Sequence, residues 1–179
     1  NVTVKALAKA GNSDVSIVFF TVDITPPSIQ IFSPQNNSYT NSSSVLVVWN
    51  GSDNCGIDHY EVRADDGSWI DVGSVTSHTF NLVDGNHTLY VRAIDAAGNV
   101  AISFVYVVVD TVAPEVYVIS PHNGSYIGGV VVIEINWTDI NSDVCELYIN
   151  YTDKPVTTFT DVGVQAYSWN TSEVIDGVY

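Results

Sequence analysis

The chain has no methionine, few leucines and two cysteines, and only five of its 179 residues are lysine or arginine. Each shortage excludes something. Strong helix formers are too sparse to fill a helical face, and no window sustains a helical period. Cys55 and Cys145 fall one in each copy of the repeat described below, so no disulfide can form within a domain. They read as two free, mostly buried thiols, with a bridge between chains as the alternative. The lack of basic residues leaves a formal charge of −15. Such a surface repels phosphates, which excludes nucleic-acid binding. No apolar run is long enough to span a bilayer. Asn1-Val2-Thr3-Val4 shows no basic segment followed by an apolar stretch, so any signal peptide is expected to have been removed or to lie outside this sequence.

Catalytic chemistry is missing as well. His59, His78, His87 and His122 lack metal-ligand spacing and read as exposed polar positions. No Ser, Cys or Thr sits in a nucleophile motif. Asp65-Asp66 falls at a hairpin turn, where aspartate is common anyway. Gly128-Gly129 precedes a strand and reads as a turn. No enzyme is expected.

What is present is β-chemistry and sequons. Hydrophobic residues make up 46% and are dominated by β-branched and aromatic types, which favour strands. Asn-x-Ser/Thr occurs at Asn1, Asn36, Asn41, Asn50, Asn86, Asn123, Asn136, Asn150 and Asn170. This composition would give about three by chance, so the nine read as N-glycan acceptors on a secreted surface. Acidic loops suit a calcium-containing exterior.

The sequence repeats. Pro27-Ser28-Ile29-Gln30-Ile31-Phe32-Ser33-Pro34 returns 87 residues later as Pro114-Glu115-Val116-Tyr117-Val118-Ile119-Ser120-Pro121. Trp49 returns as Trp137, and Asp84-Gly85 as Asp176-Gly177. Val2-Thr3-Val4-Lys5-Ala6 matches Leu89-Tyr90-Val91-Arg92-Ala93, and Gly11-Asn12 matches Gly98-Asn99. The expected organisation is therefore the last two strands of one domain over 1–24, a complete domain over 25–112, and a domain without its last two strands over 113–179. Strands are expected near 28–33, 44–50, 57–63, 67–71, 77–82, 87–94 and 100–109. Alternation puts Val45, Val47 and Trp49 on one face, and Ile133, Ile135 and Trp137 on another, with both tryptophans in the cores. Asn50 and Asn136 then point to solvent.

The D-x-x-x-P spacing of Asp23 to Pro27 and Asp110 to Pro114, the S-P-x-N-x-S-Y that follows each, the second-strand tryptophan, and D-G-N-H-T-L-Y-V-R-A-I-D-A-A-G-N over 84–99 carry a resemblance. The chain resembles the bacterial and archaeal Ig-like repeats of large extracellular surface proteins. The resemblance implies an all-β fold of tandem immunoglobulin-like β-sandwich domains, the sequence cutting across domain boundaries. It implies a role as stalk, adhesin shaft, filament or spacer. The chain departs from antibody-type domains in lacking paired cysteines, and Asp95 is matched by Ala8 in the opening copy. In an Ig-like sandwich the entering linker and two loops meet at one end. Here they carry Asp23, Asp53 and Asp95, which could hold Ca²⁺, as members of the family do between domains; the alternative is solvated turn aspartates. No other cofactor is expected.

The function expected is a structural subunit or segment of a glycosylated extracellular filament, stalk or adhesin. The alternatives are spacer repeats of a large secreted enzyme, or a carbohydrate-binding module, for which Trp69 and Trp169 are the candidate aromatics. The expected partners are N-linked glycans and copies of the same chain, head to tail. Val2, Val4, Ala6, Val15, Ile17 and Phe19 would complement the incomplete domain of a neighbour by strand addition. The rival is a longer polypeptide in which the same join is covalent.

Overall fold

Apolar residues at every second position build strands with one dry face, and two such faces close on each other. The computed structural model describes residues 1–149, 154–173 and 177. The fold is all-β, as the sequence predicts: fifteen strands and one turn of 3-10 helix, Thr171–Glu173, occur among the described residues. The chain divides into two compact units, Asn1–Val109 and Asp110–Tyr179.

The first unit opens with a hairpin of β1 (Val2–Leu7) and β2 (Ser13–Val18), which forms a two-stranded sheet of its own. A sandwich follows from β3 (Ser28–Ser33), β4 (Ser38–Thr40), β5 (Ser44–Ser52), β6 (Ile57–Ala64), β7 (Ile70–Gly73), β8 (Ser77–Asn81), β9 (Gly85–Asp95) and β10 (Val100–Val109). One sheet has the order β3-β5-β8 and the other β4-β10-β9-β6-β7. All pairings are antiparallel except that of β4 with β10.

The core between the sheets takes Val45, Val47 and Trp49 from β5, Tyr60 and Val62 from β6, and Phe80 from β8. The last hairpin adds Leu89, Val91, Ala93, Val105, Val107 and Val109. Trp49 meets Tyr60 edge to face, with ring centroids 5.8 Å apart. Each large side chain so buried contributes about 1.5–3 kcal/mol.

Three local expectations are corrected. The strand expected at 67–71 begins at Ile70, because the Asp65-Asp66 turn, with Asp65 at φ 50°, runs on through Gly67-Ser68-Trp69. Ser38–Thr40 pairs with Val107–Val109, an edge strand that the expected strands did not include. Cys55 is exposed rather than buried, since it lies in a loop outside the strand pattern, whereas Cys145 is half-buried.

The second unit holds β11 (Glu115–Ser120), β12 (Val130–Thr138), β13 (Cys145–Leu147), β14 (Thr157–Phe159) and β15 (Gly163–Asn170). The sheet β11-β12-β15 repeats β3-β5-β8, and β13 pairs with β14 as β6 pairs with β7. Ile133, Ile135 and Trp137 are buried, with Cys145, Leu147, Ile149, Phe159, Tyr167 and Trp169 partly buried around them.

The registers correct the tryptophan match. Ile29 lies opposite Gly51, and its counterpart Val116 lies opposite Trp137. Trp137 therefore occupies the place of Gly51, and Ile135 that of Trp49. The reason is steric. A Cβ on Gly51 would come within 2.8 Å of the Tyr60 hydroxyl and 3.1 Å of the Ser28 carbonyl oxygen. In the first unit Tyr60 fills the space beside Gly51. The Trp137 indole donates to the Asp161 carbonyl at 2.9 Å, while that of Trp49 is buried without an acceptor.

Candidate functional site

The opening hairpin is a twin of the closing hairpin of the complete sandwich. Val2 lies opposite Val18, Thr3 opposite Ile17, Val4 opposite Ser16 and Lys5 opposite Val15. Shifted by 87 residues, these are the pairs Leu89–Val105, Tyr90–Phe104, Val91–Ser103 and Arg92–Ile102 of β9 and β10. The turns agree as well. Ala8 N donates to Asn12 O, as Asp95 N does to Asn99 O, and Gly11 and Gly98 both take φ 90°, a conformation glycine tolerates without strain.

Burial separates the twins. Val91 and Val107 are 0% and 1% exposed, whereas their counterparts Val4 and Phe20 are 62% and 57% exposed. Because residues opposite each other share a face, Val18 joins Val2, Val4 and Ala6 on the side equivalent to the core, and the twin places Phe20 and Val22 there too. Val15 and Ile17, expected on that side from the sequence, face the other way with Lys5 and Thr3. Phe19 matches Tyr106, on the outer face of β10. The opening hairpin thus carries apolar side chains at the positions that are inward in its twin.

At the end of the sandwich that carries Asp23, Asp53 and Asp95, the structure joins only the first two. Oxygens of Asp23 and Asp53 and the sulfur of Cys55 lie within 4.8 Å of one another. Asp95 is buried, and its carboxylate accepts from Ala97 N (2.8 Å), Asn99 N (2.9 Å) and Asn99 Nδ2 (2.8 Å). Burial opposes its charge, but these bonds outweigh that effect and hold its pKa below the usual carboxylate value. It serves its own turn.

Cys55 is the third donor that the sequence reading missed. The adjacent Asp23 carboxylate, with some burial and the negative field of Asp23, Asp53 and Asp95, raises the pKa of its thiol. Asp23 Oδ2 is buried and has no hydrogen-bond partner. The second unit shows what the position is for. There Asn141 N donates to Asp139 Oδ1 as Cys55 N does to Asp53 Oδ1, and Asn141 Nδ2 donates to Asp110 Oδ2 at 2.7 Å. An amide donor thus stands where the first unit has a thiol. A protonated thiol and two carboxylates do not fit Ca²⁺, which takes six to eight oxygen ligands. In the second unit the arrangement ties linker to loop by a hydrogen bond. Its signal was the spacing Asp53-x-Cys55 repeated as Asp139-x-Asn141.

The sequons sit mostly at the surface. Asn1, Asn36, Asn41, Asn50, Asn86, Asn123 and Asn170 are exposed and Asn136 is half-buried, while Asn150 lies outside the described residues. Asn36 Oδ1 accepts from Tyr106 N at 2.9 Å.

His87 is not a free surface histidine. Its Nδ1 lies 2.8 Å from Asp65 Oδ2 and its Nε2 2.8 Å from the Val83 carbonyl oxygen. Two acceptors favour a doubly protonated ring. Burial works against that charge, yet the bonds to Asp65 and Val83 raise its pKa.

On the outer face of the larger sheet, Trp69, Tyr90, Phe104 and Tyr106 form a row with centroids 6.3, 5.7 and 5.5 Å apart. Alternation along β10 was the signal for it. The Arg63 and Arg92 guanidinium groups lie 4.8 and 4.3 Å from the Trp69 ring centre, so cations cover this aromatic.

Among the described residues no helix is long and apolar enough to cross a membrane. No curated protein matches the chain. Fibronectin(III)-like modules of CbhA from Clostridium thermocellum match 46% of it and 95% of their own length, at 21% identity and a TM-score of 0.38. A chitinase from Bacillus thuringiensis matches 84% of it at 20% identity and a TM-score of 0.39, and the chain covers 27% of that enzyme's length. Residues 27–91 match the family model described as Bacterial Ig domain, in keeping with the resemblance read from the repeats.

Proposed function

We propose that the chain is a non-catalytic structural segment of an extracellular, N-glycosylated filament, stalk or adhesin shaft built from Ig-like domains in series. The observation that carries this reading is the pair-for-pair identity of the β1–β2 register with that of β9–β10. A closing hairpin followed by a complete sandwich, followed by strands that repeat the sandwich from its start, is the pattern of a serial array. The exposure of the described sequon asparagines other than half-buried Asn136 supports glycan attachment. No residue cluster among those described favours a reaction, and since a fold does not by itself imply a function, the reading rests on the repeat pattern.

Two measurements on native material test the reading. Peptide mapping is expected to find glycans on Asn36, Asn50 and Asn86. Antibodies against the folded chain are expected to label the surface of intact cells. Unmodified asparagines together with labelling confined to the cell interior would sink it.

A further inference from the structure

We propose that the N-glycan of Asn86 folds back over the outer face of the larger sheet and covers Tyr39, Tyr106 and Phe104, so that the complete sandwich is finished by its own carbohydrate. The proposal rests on the glycosylated reading above and names what one of those glycans does.

Every part of this surface lies within the complete sandwich. Leu89 and Val91 of β9 and Val107 and Val109 of β10 are buried, so alternation turns Asn86, Thr88, Phe104, Tyr106 and Val108 to the outer face. The register sets Asn86 opposite Val108 and Thr88 opposite Tyr106, and it brings Tyr39 of β4 beside Val108. Asn86 and Thr88 of the sequon therefore share the face of the aromatic row and stand at its Tyr106 end. A groove lined by Tyr39, Asn86, Thr88, Tyr106 and Val108 opens at that end.

The rings are covered unevenly. At the far end the Arg63 guanidinium lies 4.8 Å from the Trp69 centroid and 4.4 Å from that of Tyr90. Next to Asn86 no cation among the described residues does this, and Phe104 is 49%, Tyr106 48% and Tyr39 69% exposed. An apolar patch of this kind marks a surface that meets something. A pyranose suits it. One face of the sugar is apolar C–H, drawn to the negative face of an aromatic ring, while the hydroxyl rim stays in water.

Ring geometry selects a tethered sugar over a free polymer. Phe104 and Tyr106 are inclined by 73°, and Tyr90 and Phe104 by 45°. A flat, ribbon-like polysaccharide cannot stack on successive rings turned this far. A glycan bonded to Asn86 needs only one or two ring contacts, because its attachment gives it a high effective concentration over the patch.

The full chain made in its native host tests this, as wild type, Asn86→Gln and Asn50→Gln. Asn50 belongs to β5 of the other sheet and serves as the control. Asn86→Gln should lower Tm by a few degrees, and Asn50→Gln should leave it unchanged. In a Phe104→Thr background Asn86→Gln should cost nothing further. Ring protons of the wild-type glycan should be displaced upfield in the NMR spectrum by aromatic ring currents, and Phe104→Thr should return them toward the positions of the released glycan. Released glycan added to the Asn86→Gln chain should not bind below about 1 mM; tighter binding would mark a site for free saccharides and overturn the proposal. So would an Asn86→Gln chain that melts like wild type, additive losses in the double variant, sugar protons at released-glycan positions, or an unmodified Asn86 beside a glycosylated Asn50. These outcomes leave the structural reading intact, whereas a chain without glycan at any sequon removes both.

Discussion

Leu89→Ala and Val2→Ala make the same kind of cut at twin positions and should have very unequal consequences. Leu89 is fully buried in β9, at the centre of the first core. Removing three carbons there forfeits about 2.4 kcal/mol of transfer energy at ~0.8 per carbon. The space left behind adds to this, so the total is about 3 kcal/mol. For a sandwich of this size that lowers Tm by about 12–24 °C. Val2 stands at the equivalent place in β1 but is 51% exposed. Its truncation should cost less than about 0.5 kcal/mol in dilute solution. Calorimetry at low protein concentration measures both. Equal losses at the two positions would show that the hairpin is already covered within its own chain, and a loss at Leu89 under about 1 kcal/mol would show that the core does not depend on β9.

The Asp65–His87 pair predicts a pH dependence. The raised His87 pKa contributes stability that is present below its ordinary value of 6.5 and lost as pH rises through the folded value. For Asp65, burial opposes the charge, but the bonds from His87 and Thr88 lower its pKa. That contribution is present above 3.8 and lost as pH falls. Tm should therefore fall between pH 6 and 9 by an amount worth about 1 kcal/mol, discounted because the Asp65 side chain is 47% exposed; a His87→Gln chain that keeps the same fall would refute the assignment. Cys55 should react with iodoacetamide at pH 8 more slowly than a free thiol despite its exposure, and Asp23→Asn should speed it. Cys55→Asn should supply the linker-to-loop tie that Asn141 makes, giving the buried Asp23 Oδ2 a donor, and should melt a few degrees above Cys55→Ala; equal melting of the two would remove the idea. Gly51→Ala should cost about 1–3 kcal/mol by driving a methyl into Tyr60, and Tyr60→Phe should relieve part of it, as chemical denaturation of the double variant would show.

Strand positions and the dry faces were legible in the sequence because alternation is a local property. Val45, Val47 and Trp49 announce their face without reference to any other strand, and the 87-residue repeat announces the twin hairpins. Features that depend on which strands become neighbours were not legible. The place of Trp137 is set by its pairing with Val116, and a matching residue type two positions away was a false guide. Val15 and Ile17 looked like core residues because β2 is apolar on both sides, and only the pairing of Val18 with Val2 picks the inward face. Asp95 was grouped with Asp23 and Asp53 from loop convergence, yet the amides of its own turn reach it first. Cys55 was judged by residue type, which predicts burial, when its loop position and Asp23 decide its role.

The exchange of bulk between Gly51 and Trp137 has a consequence for biosynthesis. Neighbouring repeats that emerge in sequence and share one strand pattern are prone to trade strands before each has closed. Here β12 cannot stand in for β5, because Trp137 would arrive where Tyr60 already lies, and a Cβ alone has no room there. Nor can β5 stand in for β12 without leaving a hole the size of an indole. Moving one large ring by two residues makes the repeats mutually unacceptable as templates, so each nascent domain is steered to its own strands.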